Sequence, residues 1–189
     1  GSRIEWLLRD ASLNEEETGE LLKRPRALGH IVRRTKTRLI LTKIENGQVP
    51  ESSTIDMGKL VEEQAELYQE IYADHSLSCT VNIGEDFSVK MNESLASTLT
   101  SNLLKNAFVH TEAGGHIAIT VGSKQLCISN DGKQPLDAEH IFDRFFQGEK
   151  KEGSTGLGLA LVKAVCRYYG LGLEYRYVDG RHTFTVDWR

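Results

Sequence analysis

The chain has 189 residues, 39% of them hydrophobic, and a formal charge of −4. That length suits one medium domain, or one domain with a helical appendage, and the apolar content allows a real core. The mild acidity and the lack of a dense basic run speak against a nucleic-acid surface, and no apolar stretch reaches the roughly 20 residues that a membrane helix needs.

No signal peptide is visible, and Gly1-Ser2 reads at least partly as a cloning scar. Cys79, Cys127 and Cys166 are far apart, odd in number and without Cys-x-x-Cys spacing. This predicts reduced core thiols in a cytoplasmic compartment and no zinc site.

In chain order, residues 4–9 read as the end of a helix and 12–14 as a polar turn. Residues 15–45 read as one long helix interrupted at Pro25, where a proline removes a hydrogen bond and kinks the rod. Leu28, Ile31, Val32, Leu39, Ile40 and Ile44 make an apolar stripe that a lone helical hairpin cannot bury. The simplest cover is a second copy of the chain, in a four-helix bundle. Asn46-Gly47 is a helix stop, and Val49-Pro50 continues as linker, which places a boundary between 1–49 and 50–189.

Beyond the boundary, a short strand is expected over 52–55, with Asp56 as the N-cap of the next helix. Met57, Leu60, Val61, Tyr68, Ile71 and Tyr72 repeat at helical spacing. Residues 77–83 and 87–91 read as strands, 93–109 as a second helix, and 116–121 with 125–129 as a hairpin-like strand pair. A short helix is expected over 137–142 and a third long one over 157–169. Strands at 173–178 and 182–188 flank Asp179-Gly180, a type I′ hairpin signal. Strands and helices without regular alternation predict an α+β fold, a mixed sheet with helices on one face.

Four stretches carry chemistry. Asn102 and Asn106 lie four apart on the second helix and share a face with Leu95, Leu99 and Leu103. They read either as core amides bonded to backbone or as oxygen donors to Mg²⁺, an ion that takes few protein ligands. Asn130-Asp131-Gly132 ends a strand, as a turn or as an amide or carboxylate facing an adenine edge. Ile141-Phe142-Asp143-Arg144-Phe145-Phe146 is either plain core or the anchor of a mobile lid over 147–153. Gly153-Ser154-Thr155-Gly156-Leu157-Gly158-Leu159 runs straight into an apolar helix, as a flexible turn or as a phosphate cradle built from bare amides and a helix N-terminus. No Gly-x-x-x-x-Gly-Lys-Ser/Thr loop is present, which disfavours the P-loop route to ATP.

The four together, in this order and at these intervals, resemble the boxes of bacterial sensor histidine kinases. The carriers are Asn102-Leu103-Leu104-Lys105-Asn106-Ala107, Asn130-x-Gly132, Phe142-x-x-Phe145-Phe146 and Ser154-Thr155-Gly156-Leu157-Gly158-Leu159. The resemblance implies an α/β sandwich of the Bergerat (GHKL) ATPase kind, a mixed sheet backed by three helices. It also implies that 1–49 is part of a dimerisation and histidine-phosphotransfer hairpin and 50–189 the catalytic ATP-binding domain. The implied ligands are ATP and Mg²⁺. Asn106 would ligate the metal, with Asn102 supporting the phosphates. Asn130 would contact the adenine amino group, with Gly132 beside it, and His110 and Phe146 would flank the nucleotide. Ser154, Thr155 and Leu159 belong to the loop whose Gly156, Leu157 and Gly158 amides would hold phosphate. The implied partners are a second copy of the chain and a response-regulator receiver domain. The implied setting is the cytoplasmic side of the inner membrane, reached only through segments outside this chain.

The chain departs from the family pattern in places. None of its six histidines is followed by an acidic residue and then, a few residues on, by a proline, as the family's phosphoacceptor is. Ser2-Arg3-Ile4 resembles the segment just C-terminal to that motif, so the expected acceptor precedes this chain and the chain alone cannot phosphorylate itself at the normal site. Val109 and Gln147 stand where the family often has cations, Asn130 where Asp is usual and Gln134 where a second Gly is usual. Lys105, Lys133, Lys150 and Lys151 are alternative sources of positive charge. These departures motivate a second reading, a degenerate nucleotide-binding or phosphatase-type module without kinase activity.

Overall fold

The computed structural model describes residues 25–85, 87–146 and 156–188. The helix end expected at 4–9, the turn at 12–14, the first part of the long helix, the lid stretch 147–153 and Ser154 and Thr155 lie outside the described residues. The described chain runs α1 (Pro25–Glu45), β1 (Ser53–Asp56), α2 (Met57–Ile71), a short 3₁₀ turn, β2 (Ser78–Ile83), β3 (Ser88–Met91), α3 (Glu93–His110), β4 (His116–Gly122), β5 (Gln125–Asp131), α4 (Gly158–Tyr169), β6 (Gly172–Val178) and β7 (Arg181–Asp187).

Local signals set many of these ends. Gly47 takes the left-handed conformation at φ 64° and stops α1. Asp56 caps α2 by accepting the Lys59 N–H at 3.0 Å, a device that contributes about 1 kcal/mol. Asp179 and Gly180 both have positive φ, 52° and 73°, as a type I′ turn requires. The helix expected over 137–142 is absent; that stretch is a series of turns. Asp137 accepts the N–H groups of Glu139 and His140 on its side chain and that of Ile141 on its carbonyl. These bonds have the form of a helix N-cap, but the turn they open is not continued: the next backbone bonds, Asp143 N–H to the His140 carbonyl and Phe146 N–H to the Asp143 carbonyl, span three residues rather than four.

The main sheet has the order β2-β4-β5-β7-β6, with β2 and β4 parallel and every other pair antiparallel. A separate two-stranded ribbon joins β1 to β3. Alternate residues of the central strands face one side: Ile117, Ile119, Val121, Leu126, Ile128, Phe184 and Val186 are buried there. Against that side pack Met57, Val61 and Ala65 of α2, Leu99, Leu103 and Phe108 of α3, and Leu161, Val162 and Val165 of α4, all in one core cluster.

Leu41 and Ile44 of α1 belong to the same cluster, so part of the stripe on this helix is covered within the chain; Leu39 stays exposed. The three cysteines are free thiols, and burial pushes that of Cys166 up to about 12. Among the described residues no helix is long and apolar enough to cross a membrane.

Candidate nucleotide site

A cavity of about 1360 Å³ opens between α3, the end of β5 and the start of α4. Asn102, Asn106 and His110 reach it from α3, Asn130 and Gly132 from β5 and the turn after it, and Gly156, Gly158 and Leu159 from the glycine loop and α4. Phe146 lines it as well. Residues from two helices, a strand end and the glycine loop are thus gathered on one hollow. Leu157 is the exception: its side chain is buried and does not line the cavity.

On the α3 side, Asn102 donates its Nδ2 to the Thr98 carbonyl at 2.7 Å, which leaves Oδ1 turned toward α4. A Cβ at Gly158 would stand 3.0 Å from that oxygen. Glycine at 158 therefore lets the start of α4 close on the Asn pair. Gly156 takes φ 66°, a backbone that favours glycine. Leu157 at the N-cap of α4 makes no side-chain cap bond, so among the described residues the first amides of the helix and the positive end of its dipole are open to an anion.

The aromatic cluster divides between its two readings. Ile141 is buried and Phe142 packs edge-on against Phe184, centroids 6.1 Å apart. Phe145 is exposed, has φ 65°, and lies under the Arg38 guanidinium of α1. Its N–H donates to the Gly156 carbonyl at 2.7 Å, tying the cluster to the glycine loop. Arg144 pairs with Glu45 of α1.

On the opposite wall, β5 sends successive side chains to opposite faces. Asn130 is 1% exposed and enters the cavity, its Nδ2 donating to the Asp131 carbonyl at 3.1 Å. The Asp131 carboxylate instead accepts the His116 N–H at 2.7 Å and Arg181 Nη1 at 2.9 Å. Asp131 also borders the cavity, with its carboxylate engaged in these two bonds. Gly132 donates its N–H to the Gly180 carbonyl and accepts from Tyr177 Oη at 3.0 Å.

His182, to which sequence reasoning assigned no role, lines the cavity beside Asn130. The alternation that buries Phe184 and Val186 signals that it faces inward. Its Nδ1 lies 2.9 Å from Tyr175 Oη, and burial holds the imidazole below its ordinary range. Val109 and Lys105 line the cavity, while Lys133 also borders it and is ion-paired to Glu112 at 2.8 Å. Lys150 and Lys151 lie outside the described residues. Among the described residues no group of three or more His, Cys, Asp or Glu could hold a metal. The donors present, neutral amide oxygens, suit a cation that phosphate and water mostly coordinate.

Residues 91–188 match the family described as histidine kinase-, DNA gyrase B-, and HSP90-like ATPase. The chain belongs to this family. Within it the relatives are sensor kinases. The sensor histidine kinase RppB of Synechocystis sp. is 32% identical over 176 residues, which cover 86% of this chain and 38% of RppB. The sensor-like histidine kinase SenX3 of Mycolicibacterium smegmatis is 31% identical over 134 residues, covering 62% of this chain and 33% of SenX3. The chain thus spans little more than a third of the length of these relatives.

Solved structures share the fold. The Acinetobacter baumannii histidine kinase AdeS superposes with a TM-score of 0.67 at 21% identity, covering 97% of this chain and 91% of that one. Full-length ShkA in complex with AMPPNP gives 0.71 at 19% identity, covering 95% of this chain and 40% of ShkA. The domain is a histidine-kinase-type ATPase domain, and ATP is the nucleotide that this family uses.

Proposed function

We propose that this chain is the kinase core of a two-component sensor, whose whole protein moves the γ-phosphoryl of ATP to a histidine and then to a response-regulator aspartate. The observation that carries the reading is the convergence of the Asn pair, Asn130 and the Gly156–Gly158 backbone on one cavity, across more than fifty residues of chain.

In this reading Asn106 ligates Mg²⁺ and Asn102 supports the phosphates across from Gly158. The amides of Gly156, Leu157 and Gly158 hold phosphate oxygens, with Ser154, Thr155 and Leu159 completing the loop. Asn130 and Gly132 take the base, and His110 and Phe146 flank the nucleotide. Bound Mg·ATP supplies the transferable phosphoryl group and the cation that neutralises its charge. The protein contributes position and charge complementarity rather than covalent chemistry, which matches a site built of amides and backbone.

Residues 1–49 belong to the dimerisation hairpin and 50–189 to the catalytic domain. The partners are a second copy and a receiver domain, and the parent is held at the inner membrane with this part in the cytoplasm. Titration calorimetry with Mg·AMPPNP tests the site. Binding that weakens about tenfold or more in Asn106→Ala, with the fold intact by circular dichroism, supports the assignment. A folded wild-type chain that takes no nucleotide overturns it.

A further inference from the structure

Asn130 and His182 are register partners on adjacent antiparallel strands, and both are polar side chains in the buried face of the sheet. His182 is only 8% exposed, and both residues line the cavity. Among the described residues a buried polar side-chain atom without a partner occurs only at Arg181 Nη2. The Asn130 Oδ1 and the His182 Nε2, which no group among the described residues engages, therefore keep contact with the cavity.

The protons can be assigned. Tyr175 Oη accepts the Leu136 N–H at 2.9 Å, and its other neighbour is His182 Nδ1. A half-buried hydroxyl has one proton to place, and the imidazole nitrogen is the acceptor within reach. With the hydroxyl donating to Nδ1, the neutral ring carries its proton on Nε2. Asn130 has already spent its Nδ2 on the Asp131 carbonyl. The cavity wall thus presents an acceptor, Asn130 Oδ1, beside a donor, His182 Nε2–H.

We propose that His182 is a base-reading residue: its Nε2–H donates to N1 of a 6-aminopurine while Asn130 Oδ1 accepts from the 6-amino group. This pairing matches the donor–acceptor order on the outer edge of adenine. Guanine, with an oxygen at C6 and a proton on N1, presents the reverse. Tyr175 is the positioning residue, because its hydroxyl selects the tautomer. The inference rests on the reading that ATP occupies this cavity.

The experiment compares ATP with 1-deaza-ATP, in which N1 is a C–H, by titration calorimetry of the whole chain. The expected result is that ATP binds about tenfold more tightly, the worth of one well-placed hydrogen bond at a buried site. In His182→Phe the ATP affinity drops to that of 1-deaza-ATP and the ratio collapses to about one, the ring volume being kept. Equal affinities in the wild type, which needs no variant to fold, overturn the role of His182 while leaving the nucleotide site standing. Absence of binding by both nucleotides overturns the functional reading and the role of His182 with it.

Discussion

A Cβ at Gly132 would lie 2.0 Å from His182 Nε2 and 2.3 Å from its Cδ2. Neither side can yield freely. The imidazole is bonded to Tyr175 and packed between Tyr175 and Tyr177, with ring centroids 5.9 and 5.1 Å away. The glycine has both backbone groups engaged, by Gly180 and Tyr177. Gly132→Ala must break one set of contacts, and overpacking of this kind costs ~1–3 kcal/mol. A thermal midpoint lowered by several degrees is the expected outcome; an unchanged midpoint would show that the ring moves aside without cost.

Neighbouring residues at 130 and 131 should fail in different ways. Asp131→Ala removes the acceptor of the His116 N–H and of Arg181 Nη1, leaving the guanidinium only its Nε bond to Ser129 Oγ. The side chains of this pair are 30% and 45% exposed, so screening limits the loss to roughly 1–2 kcal/mol of stability. Nucleotide affinity should stay within about threefold of wild type. Asn130→Ala should instead weaken ATP by about tenfold, the worth of one hydrogen bond in the cavity. Calorimetry and thermal melts on both variants separate the two effects, and equal losses of affinity would contradict the strand alternation.

Stability should fall in mild acid because of His182. Burial lowers the folded-state value, whereas the unfolded chain titrates near the ordinary 6.5. Below that value the unfolded state binds a proton that the folded state resists. The contribution is whole above 6.5 and is lost as the pH falls through the lowered folded value. Urea midpoints at neutral and mildly acidic pH measure the decline, and NMR of the His182 ring locates its titration directly. A ring that titrates at 6.5 or above would contradict the buried, neutral assignment.

The seat of α1 is apolar rather than ionic. Leu41 and Ile44 are buried in the shared core, while Glu45 and Arg144 are each about half exposed. Leu41→Ala should cost ~2–5 kcal/mol, against less than about 1 kcal/mol for Glu45→Gln. Denaturation of the two variants side by side checks the ordering.

Where a feature depends on neighbours in sequence, it was legible. The Asp56 cap, the Asp179-Gly180 turn and the strand pair at 116–121 and 125–129 all arise from local chemistry, and the structure contains each of them. The β4–β5 turn fell where the strand pair predicted it, although Ser123 and Lys124 take positive φ without being glycine or asparagine. The helix expected over 137–142 stops after one turn: Asp137 caps it as a helix start would be capped, but the bonds that follow are between residues three apart. His182 escaped notice for a different reason. Its inward orientation is local, but its place beside Asn130 comes from β7 pairing with β5 across some fifty residues, which no periodicity reveals. The inward orientation of the Asn130 side chain likewise waits on register, since a slip of one residue exchanges the two faces.

The last strand in the chain is not at the edge of the sheet: β7 sits between β5 and β6. It brings His182 to Asn130, and the turn before it holds the Gly132 backbone. Synthesis delivers residues at about 5–20 per second, so Asn102, Asn106 and Asn130 leave the ribosome seconds before β7 does. Through that interval β5 has an unpaired edge and the cavity wall that Asn130 and His182 share is unfinished. Nascent chains stalled before and after β7 should therefore differ sharply in protease resistance, and competence for nucleotide arrives as a single late event rather than box by box.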